Sequence, residues 1–278
     1  MRRSSPFISA DSSPRSSGPS FPTTRSIDFE RMGSMYDLLV IIIGVLGTAL
    51  TLALFGYFTY AFGKKKGYAI GHAKGAIDFL DMIIVAGFAE KVKSFRKLNA
   101  RAQKGGIVFV GDSITQDYNV SEYFPGRLVY NRGIGGDTTV GLLKRLDESV
   151  FDLAPKTVVL LIGTNDLALL VTTPEEVASR IETIVKTIQA KMPETKIILQ
   201  AVYPVNAHVD PGTVGKRKNE DIRTINSLMK QIHGVTFLDC TDAIADAEGN
   251  FDRRYTVEGL HMNQDGYALI TQRIDPLL

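Results

Sequence analysis

Cysteine is almost absent from this chain. Among 278 residues there is one, Cys240 in the apolar run FLDCTD, so an intramolecular disulfide and a cysteine-based zinc site are both excluded. That thiol reads as a packing residue at a strand end. An excess of either charge is also missing: 32 basic and 30 acidic residues leave a formal net charge of +2, which gives no electrostatic case for nucleic acid or a strongly acidic partner. Histidine is scarce, with four in the chain. No metal-ligating constellation is visible. The one glycine-rich loop, NRGIGGDTT, carries Gly133, Gly135 and Gly136 but has Thr138 where a G-x-G-x-x-G loop needs glycine, so no dinucleotide cofactor is expected. What is present is apolar: 44% of the residues are hydrophobic, too many for a chain disordered throughout.

Three zones precede or form the folded part. Residues 1–36 are dominated by Ser, Pro and Arg, a composition that buries too little apolar surface to offset chain entropy, and the expectation is a disordered tail. Residues 37–63 are expected to form a transmembrane helix, because residues 38–62, LLVIIIGVLGTALTLALFGYFTYAF, run 25 residues without a charge. Tyr57, Phe58 and Tyr60 before GKKKG resemble an aromatic belt and a charged stop, the mark of an uncleaved anchor. Lys64, Lys65, Lys66 and Lys74 outnumber Arg25 and Arg31 near the span, which favours a cytoplasmic C-terminal domain. In the juxtamembrane zone, 64–103, the series Gly63, Gly67, Gly71 and Gly75 would line one helix face and suit self-association; the alternative is a weakly helical, flexible segment. The stretch AIDFLDMIIVAGF (76–88) carries Asp78 and Asp81 and is too short for a second span; it lies on the membrane or packs on the following domain.

From residue 104 to 278 the texture becomes that of an α/β domain. GIVFVG (106–111), RLVYN (127–131), TVVLLIG (157–163), KIILQAVYP (196–204) and VTFLD (235–239) read as buried parallel strands. Between them, 138–150, 173–191 and 216–233 have helical periodicity, the second with a capped start in TTPEEV. Such alternation predicts one three-layer α/β domain with right-handed crossovers and a parallel five-stranded sheet.

In an open parallel sheet ligands bind beyond the carboxyl ends of the strands. After the first strand comes GDSIT, which sets Ser113 on a sharp strand-to-helix turn. NRGIGGDTT follows the second strand, GTND the third, and TVEGLH lies about 20 residues after the last. Singly, each block is ordinary turn chemistry. Together they supply a hydroxyl nucleophile, neutral donors for an oxyanion, a base and an acid to orient it.

In this order the four blocks resemble those of the SGNH hydrolases, or GDSL-type esterases, over about residues 106–278; the second block and the GLH context are similar to the subgroup of platelet-activating-factor acetylhydrolase catalytic subunits. The resemblance implies a flavodoxin-like α/β/α domain without cofactor or metal. It implies Ser113 as nucleophile, His261 as base and Glu258 as the orienting acid. The oxyanion hole would comprise the amides of Ser113 and Gly136 and the side-chain amide of Asn165. Position 258 departs from the family, which carries Asp there, and a longer Glu demands either a shifted loop or a less ideal contact with His261. Asp112 and Asn131 are expected to brace the nucleophile turn and second loop, while His72, His208 and His233 read as structural. The implied protein is a membrane-anchored esterase acting on an acyl ester of a lipid, glycan or small molecule. An acyltransferase would use the same residues, and a non-catalytic membrane scaffold would keep the fold alone.

Overall fold

The computed structural model describes residues 29–63 and 86–278; the tail before residue 29 and Gly67, Gly71 and Gly75 of the expected glycine stripe lie outside the described residues. The chain falls into two compact units, Met1–Lys74 and Gly75–Leu278.

In the first unit, α1 (Phe29–Gly63) is a continuous helix of 35 residues; it begins within the stretch 1–36 expected to be a disordered tail, ahead of the expected start at 37. Its portion Met35–Leu54 is long and apolar enough to cross a membrane, since 20 residues rising 1.5 Å each cover about 30 Å, the thickness of a hydrocarbon core. Leucines and isoleucines along it stand exposed. The Thr51 hydroxyl donates back to Gly47 O at 2.7 Å, so this polar side chain is satisfied within the helix.

The second unit opens with a helix, α2, over 86–99. Phe95 and Asn99 on it are buried. Asn99 Nδ2 donates to Glu148 O at 2.6 Å, Asn99 Oδ1 accepts from Arg132 Nη2 at 2.8 Å, and the Arg132 guanidinium lies 4.8 Å from the Phe95 ring centroid. The described part of the 64–103 segment thus packs against the sheet-bearing unit, and residues 86–88 begin that helix.

The sheet has five parallel strands, β1 (Ile107–Gly111), β2 (Val129–Gly133), β3 (Thr157–Leu161), β4 (Lys196–Gln200) and β5 (Thr236–Leu238), in the order β2-β1-β3-β4-β5. This is the flavodoxin-like order, and the direction of winding reverses between β1 and β3. Successive residues of β1 point to opposite faces, and both faces are covered. Val108 and Val110 join Ile181, Ile184, Ile222 and Ile225 from the helices α4 (Pro174–Lys191) and α5 (Asn219–Met229). Phe109 joins Phe124, Val159, Tyr267 and Ile270, the last two from α6 (Gln264–Ile274). Each of these large aliphatic side chains contributes about 1.5–3 kcal/mol by leaving water. The capping box expected at Thr173 is formed with Glu176.

Several boundaries differ from the sequence reading by a few residues, and three of them have a local reason. Strand β2 runs two residues further, pairing Gly133 with Gly111. Strand β4 stops at Gln200 because side chains replace its ladder: Asn226 of α5 bonds both the N–H and C=O of Val202 (2.8 and 2.9 Å), and Asn219 does the same for Val205 (2.8 and 2.9 Å). The periodic stretch 138–150 is two short turns, Thr139–Leu143 and Leu146–Ser149, broken at Arg145, whose guanidinium turns inward to Gly111 O and Asp137.

The first residues after β1 form a four-residue helix, α3 (Ser113–Gln116), that lies directly against the end of β2. A Cβ on Gly133 would stand 2.2 Å from Gln116 N, which is backbone and cannot swing aside. Gly133→Ala is therefore expected to destabilise the domain by about 3 kcal/mol or more, at or beyond the usual overpacking range; a melting temperature equal to wild type would show that β2 and α3 are not in this contact.

Candidate active site

All four motif blocks meet at the carboxyl ends of β1, β2 and β3, where the strand order reverses. After Gly111 the chain turns at Asp112, which caps α3 by accepting from Ile114 N at 3.0 Å and leaves Ser113 as the first helical residue. Asn131 braces this turn as expected: its Nδ2 donates to Thr115 O (2.6 Å) and Tyr118 O (2.9 Å), and its Oδ1 accepts from Gly133 N (2.8 Å). From the other side, the Tyr267 hydroxyl of α6 donates to Ile114 O at 2.7 Å, which fixes the helix after His261 against the helix that carries Ser113.

Ser113, His261 and Glu258 form one hydrogen-bonded chain. Ser113 Oγ lies 2.9 Å from His261 Nε2, and His261 Nδ1 contacts Glu258 Oε1. A carboxylate only accepts, so Nδ1 carries the imidazole proton and Nε2 is left to accept from the serine hydroxyl. The His261 and Glu258 side chains remain 31% and 21% exposed, open enough for a substrate to reach them.

The loop 256–261 is built so that residues three apart can touch. Thr256 Oγ1 accepts from Gly259 N and donates to His261 O, both at 2.8 Å, and Val257 N donates to the same carbonyl at 2.9 Å. Gly259 takes φ +91°, and a Cβ there would stand 2.2 Å from Asn206 O. A left-handed backbone and that close approach together require glycine. The extra methylene of Glu258 folds back over this turn, so that Oε1 also accepts from His261 N at 3.2 Å. The loop keeps the acid and the imidazole together despite the longer side chain.

The remaining site residues line the same turn. Gly136 has φ +75°, and among the described residues the amide N–H groups of Ser113 and Gly136 have no protein acceptor. A Cβ on the adjacent Gly135 would lie 3.9 Å from Ser113 Cβ, so the second block stands directly against the turn that carries Ser113. Asn165, buried after β3, donates from Nδ2 to Asp137 O at 3.0 Å and accepts at Oδ1 from Arg217 Nη2 at 2.7 Å. One Nδ2 hydrogen is left over.

Beneath these residues lies a charged layer that the motifs do not reveal. Arg145 is buried and makes four hydrogen bonds, Nε to Asp137 Oδ2 (2.7 Å), Nη2 to Gly111 O (2.8 Å), and Nη1 to Arg132 O (2.8 Å) and Ser149 Oγ (2.6 Å), with Nη2 also in ion-pair contact with Asp137 Oδ2 at 2.7 Å. Asp166, fully buried, accepts from Thr139 N at 2.9 Å and from Arg180 Nη2 at 3.3 Å. Nothing in the linear pattern marks Arg145 or Arg217, and Asp166, the last residue of GTND, carries no role in the sequence reading. Arg145 sits in an amphipathic stretch and Arg217 in the basic loop KRK.

Two other titratable groups have plain physical states. Burial pushes the Cys240 thiol up to about 12, which suits a packing residue. Burial also pushes Asp112 up to about 7, with Asp137 and Asp166 adding repulsion against the pull of the Ile114 amide and Arg217; among the described residues its Oδ2 has no partner. His208 borders a cavity with Arg217, and His233 offers its carbonyl to Gln189; neither belongs to the Ser113 chain.

Residues 109–269 match the GDSL-like lipase/acylhydrolase family, and the chain belongs to that family. It is an ester-hydrolysing enzyme. Platelet-activating factor acetylhydrolase IB subunit alpha2 of Homo sapiens is 31% identical over 190 residues, 65% of this chain and 79% of that protein. The alpha1 subunit of Bos taurus is 28% identical over 178 residues, 62% of this chain and 74% of that one. Among solved structures, a Streptococcus pneumonia protein provisionally described as a platelet activating factor superposes with a TM-score of 0.68 at 29% identity, covering 73% of this chain and 98% of that one. A GDSL-like lipase from Bacteroides thetaiotaomicron does so with 0.56 at 25%, covering 67% and 98%.

The raised Asp112 has a consequence for stability. The unfolded carboxyl releases its proton near 3.8 and the folded one near 7, so the folded state binds more protons in between. Its contribution is full below about pH 4 and is lost as the pH rises through about 7. Melting temperatures of the detergent-solubilised chain should carry this downward slope, and Asp112→Asn should flatten it; an unchanged slope would mean that Asp112 is not its source.

Proposed function

We propose that the chain is a membrane-anchored serine esterase that cleaves short acyl esters, acetyl esters first among them, on a lipid, a glycan or a small molecule. The observation that carries this reading is the hydrogen-bonded chain from Ser113 Oγ through His261 to Glu258. Ser113 Oγ attacks the ester carbonyl as its proton passes to His261 Nε2, and Glu258 holds the imidazolium that forms. The carbonyl oxygen, now an oxyanion, takes hydrogen bonds from the amides of Ser113 and Gly136 and from Asn165 Nδ2. Each such donor is worth roughly 100- to 1,000-fold in rate. The C–O bond to the leaving alkoxide then breaks, and the alkoxide takes the proton from Nε2. Water repeats the sequence on the acyl-serine, giving its proton to His261 and freeing the carboxylic acid and the serine.

The relatives named as acetylhydrolases support a short acyl group. Met35–Leu54 of α1 supports anchoring, and the lysines after it, Lys64, Lys65 and Lys66, favour the cytoplasmic side for the domain.

The test is turnover of p-nitrophenyl acetate by the detergent-solubilised chain. Ser113→Ala should fall to background. Glu258→Gln should lose on the order of 100- to 10,000-fold in kcat, because an amide favours the wrong imidazole tautomer, whereas Glu258→Asp should stay within about tenfold of wild type because the carboxylate remains. Equal rates for wild type and Ser113→Ala would remove the proposal, and a fully active Glu258→Gln would remove the role of Glu258.

A further inference from the structure

A carboxamide is nearly symmetric in shape but not in chemistry. Turned one way, Asn165 offers N–H to an oxyanion; turned the other way, it presents a carbonyl oxygen that repels one. Two neighbours that cannot change roles decide the orientation. Asp137 O can only accept and takes one Nδ2 hydrogen at 3.0 Å. The Arg217 guanidinium can only donate and faces Oδ1 at 2.7 Å.

Arg217 is itself held in place. Its Nε donates to Thr164 O at 3.0 Å, and its Nη1 donates to Thr213 O at 3.2 Å and Val214 O at 2.9 Å. With Asn165 Oδ1 this makes four neutral oxygens, and among the described residues no carboxylate pairs with it. The guanidinium therefore keeps its charge beside Asn165. Burial lowers its pKa somewhat, against a pull from Asp112, yet arginine stays protonated in proteins. A cationic donor on Oδ1 draws electron density from the amide and makes the remaining Nδ2 hydrogen a stronger donor.

We propose that Arg217 is a positioning residue for the ester-cleaving reaction, locking the Asn165 carboxamide with its nitrogen toward the oxyanion and polarising it for that bond. This rests on the reading of Asn165 as an oxyanion donor. Arg217 touches no reacting atom. Its whole effect on rate passes through Asn165.

A double-mutant cycle on the full chain in detergent, with p-nitrophenyl acetate as substrate, tests this. Arg217→Met should lower kcat by about 10- to 100-fold with KM within about twofold, since the interaction is made in the transition state. Arg217→Lys, which keeps a charged donor, should recover most of the loss. In an Asn165→Ala background, Arg217→Met should change kcat by no more than about twofold, because the group it acts through is gone. If Arg217→Met lowers kcat by the same factor in both backgrounds, the positioning role is wrong while the oxyanion reading stands. If Asn165→Ala alone leaves kcat unchanged, the oxyanion reading fails first and takes the inference with it. Should Arg217→Met not fold, Arg217→Gln, a neutral donor, gives the same cycle, and additivity there would equally overturn the proposal.

Discussion

The Arg145 guanidinium is the contact on which the geometry of the site depends. Its three nitrogens reach Gly111 O at the end of β1, Arg132 O at the end of β2, the Asp137 carboxylate beside Gly136, and Ser149. Two strand ends and the second motif loop are thereby fixed to one planar group. Burying an arginine is unfavourable unless it is paired and hydrogen-bonded, and here each nitrogen has a hydrogen-bond partner and the charge a carboxylate. Removing one partner of such a pair costs about 3–5 kcal/mol, because the other charge stays buried without compensation. The same inward turn of Arg145 breaks the helical stretch 138–150, so a local break in regular structure and the alignment of the site have one cause.

The rest of the site is arranged above that layer by backbone rather than by long side chains. Ser113 is held by the turn between β1 and α3, Gly136 by a left-handed loop, and His261 with Glu258 by the tight turn that Gly259 permits. Tyr267 closes the arrangement by tying α6, which follows the loop of Glu258 and His261, to Ile114 O in the helix that begins at Ser113. Groups held this way need little reorganisation when charge develops on the substrate, which is the condition for electrostatic stabilisation of an oxyanion.

Much of this was legible in the linear chain. Strands buried on both faces must be continuously apolar, so all five were visible, and the polar residues right after them were candidates because ligands gather at that edge. The four blocks GDSIT, NRGIGGDTT, GTND and TVEGLH stood out in this chain, while the roles expected of Ser113, Gly136, Asn165, Glu258 and His261 came from their resemblance to the SGNH hydrolases. The doubt about a longer acid at position 258 is met by the turn itself, whose folding brings Oε1 to both Nδ1 and N of His261. Arg145 and Arg217 were not legible, because a charged residue that turns inward keeps the same place in a polar or amphipathic stretch as one that faces water; Asp166 stood in the GTND block, but its buried bond to Thr139 was not legible there. The end of β4 was hidden for a related reason: AVYP is as apolar as a strand, and only the side chains of Asn219 and Asn226 show where the ladder is replaced.

The most direct measurement is the site of covalent capture. Full-length protein treated with a fluorophosphonate should gain one adduct by mass spectrometry, located by peptide mapping on Ser113, and His261→Ala should gain it far more slowly because the hydroxyl has lost its base. Absence of any adduct on folded protein, or an adduct on another residue with Ser113 unmodified, would contradict the assignment of Ser113 and His261 as nucleophile and base.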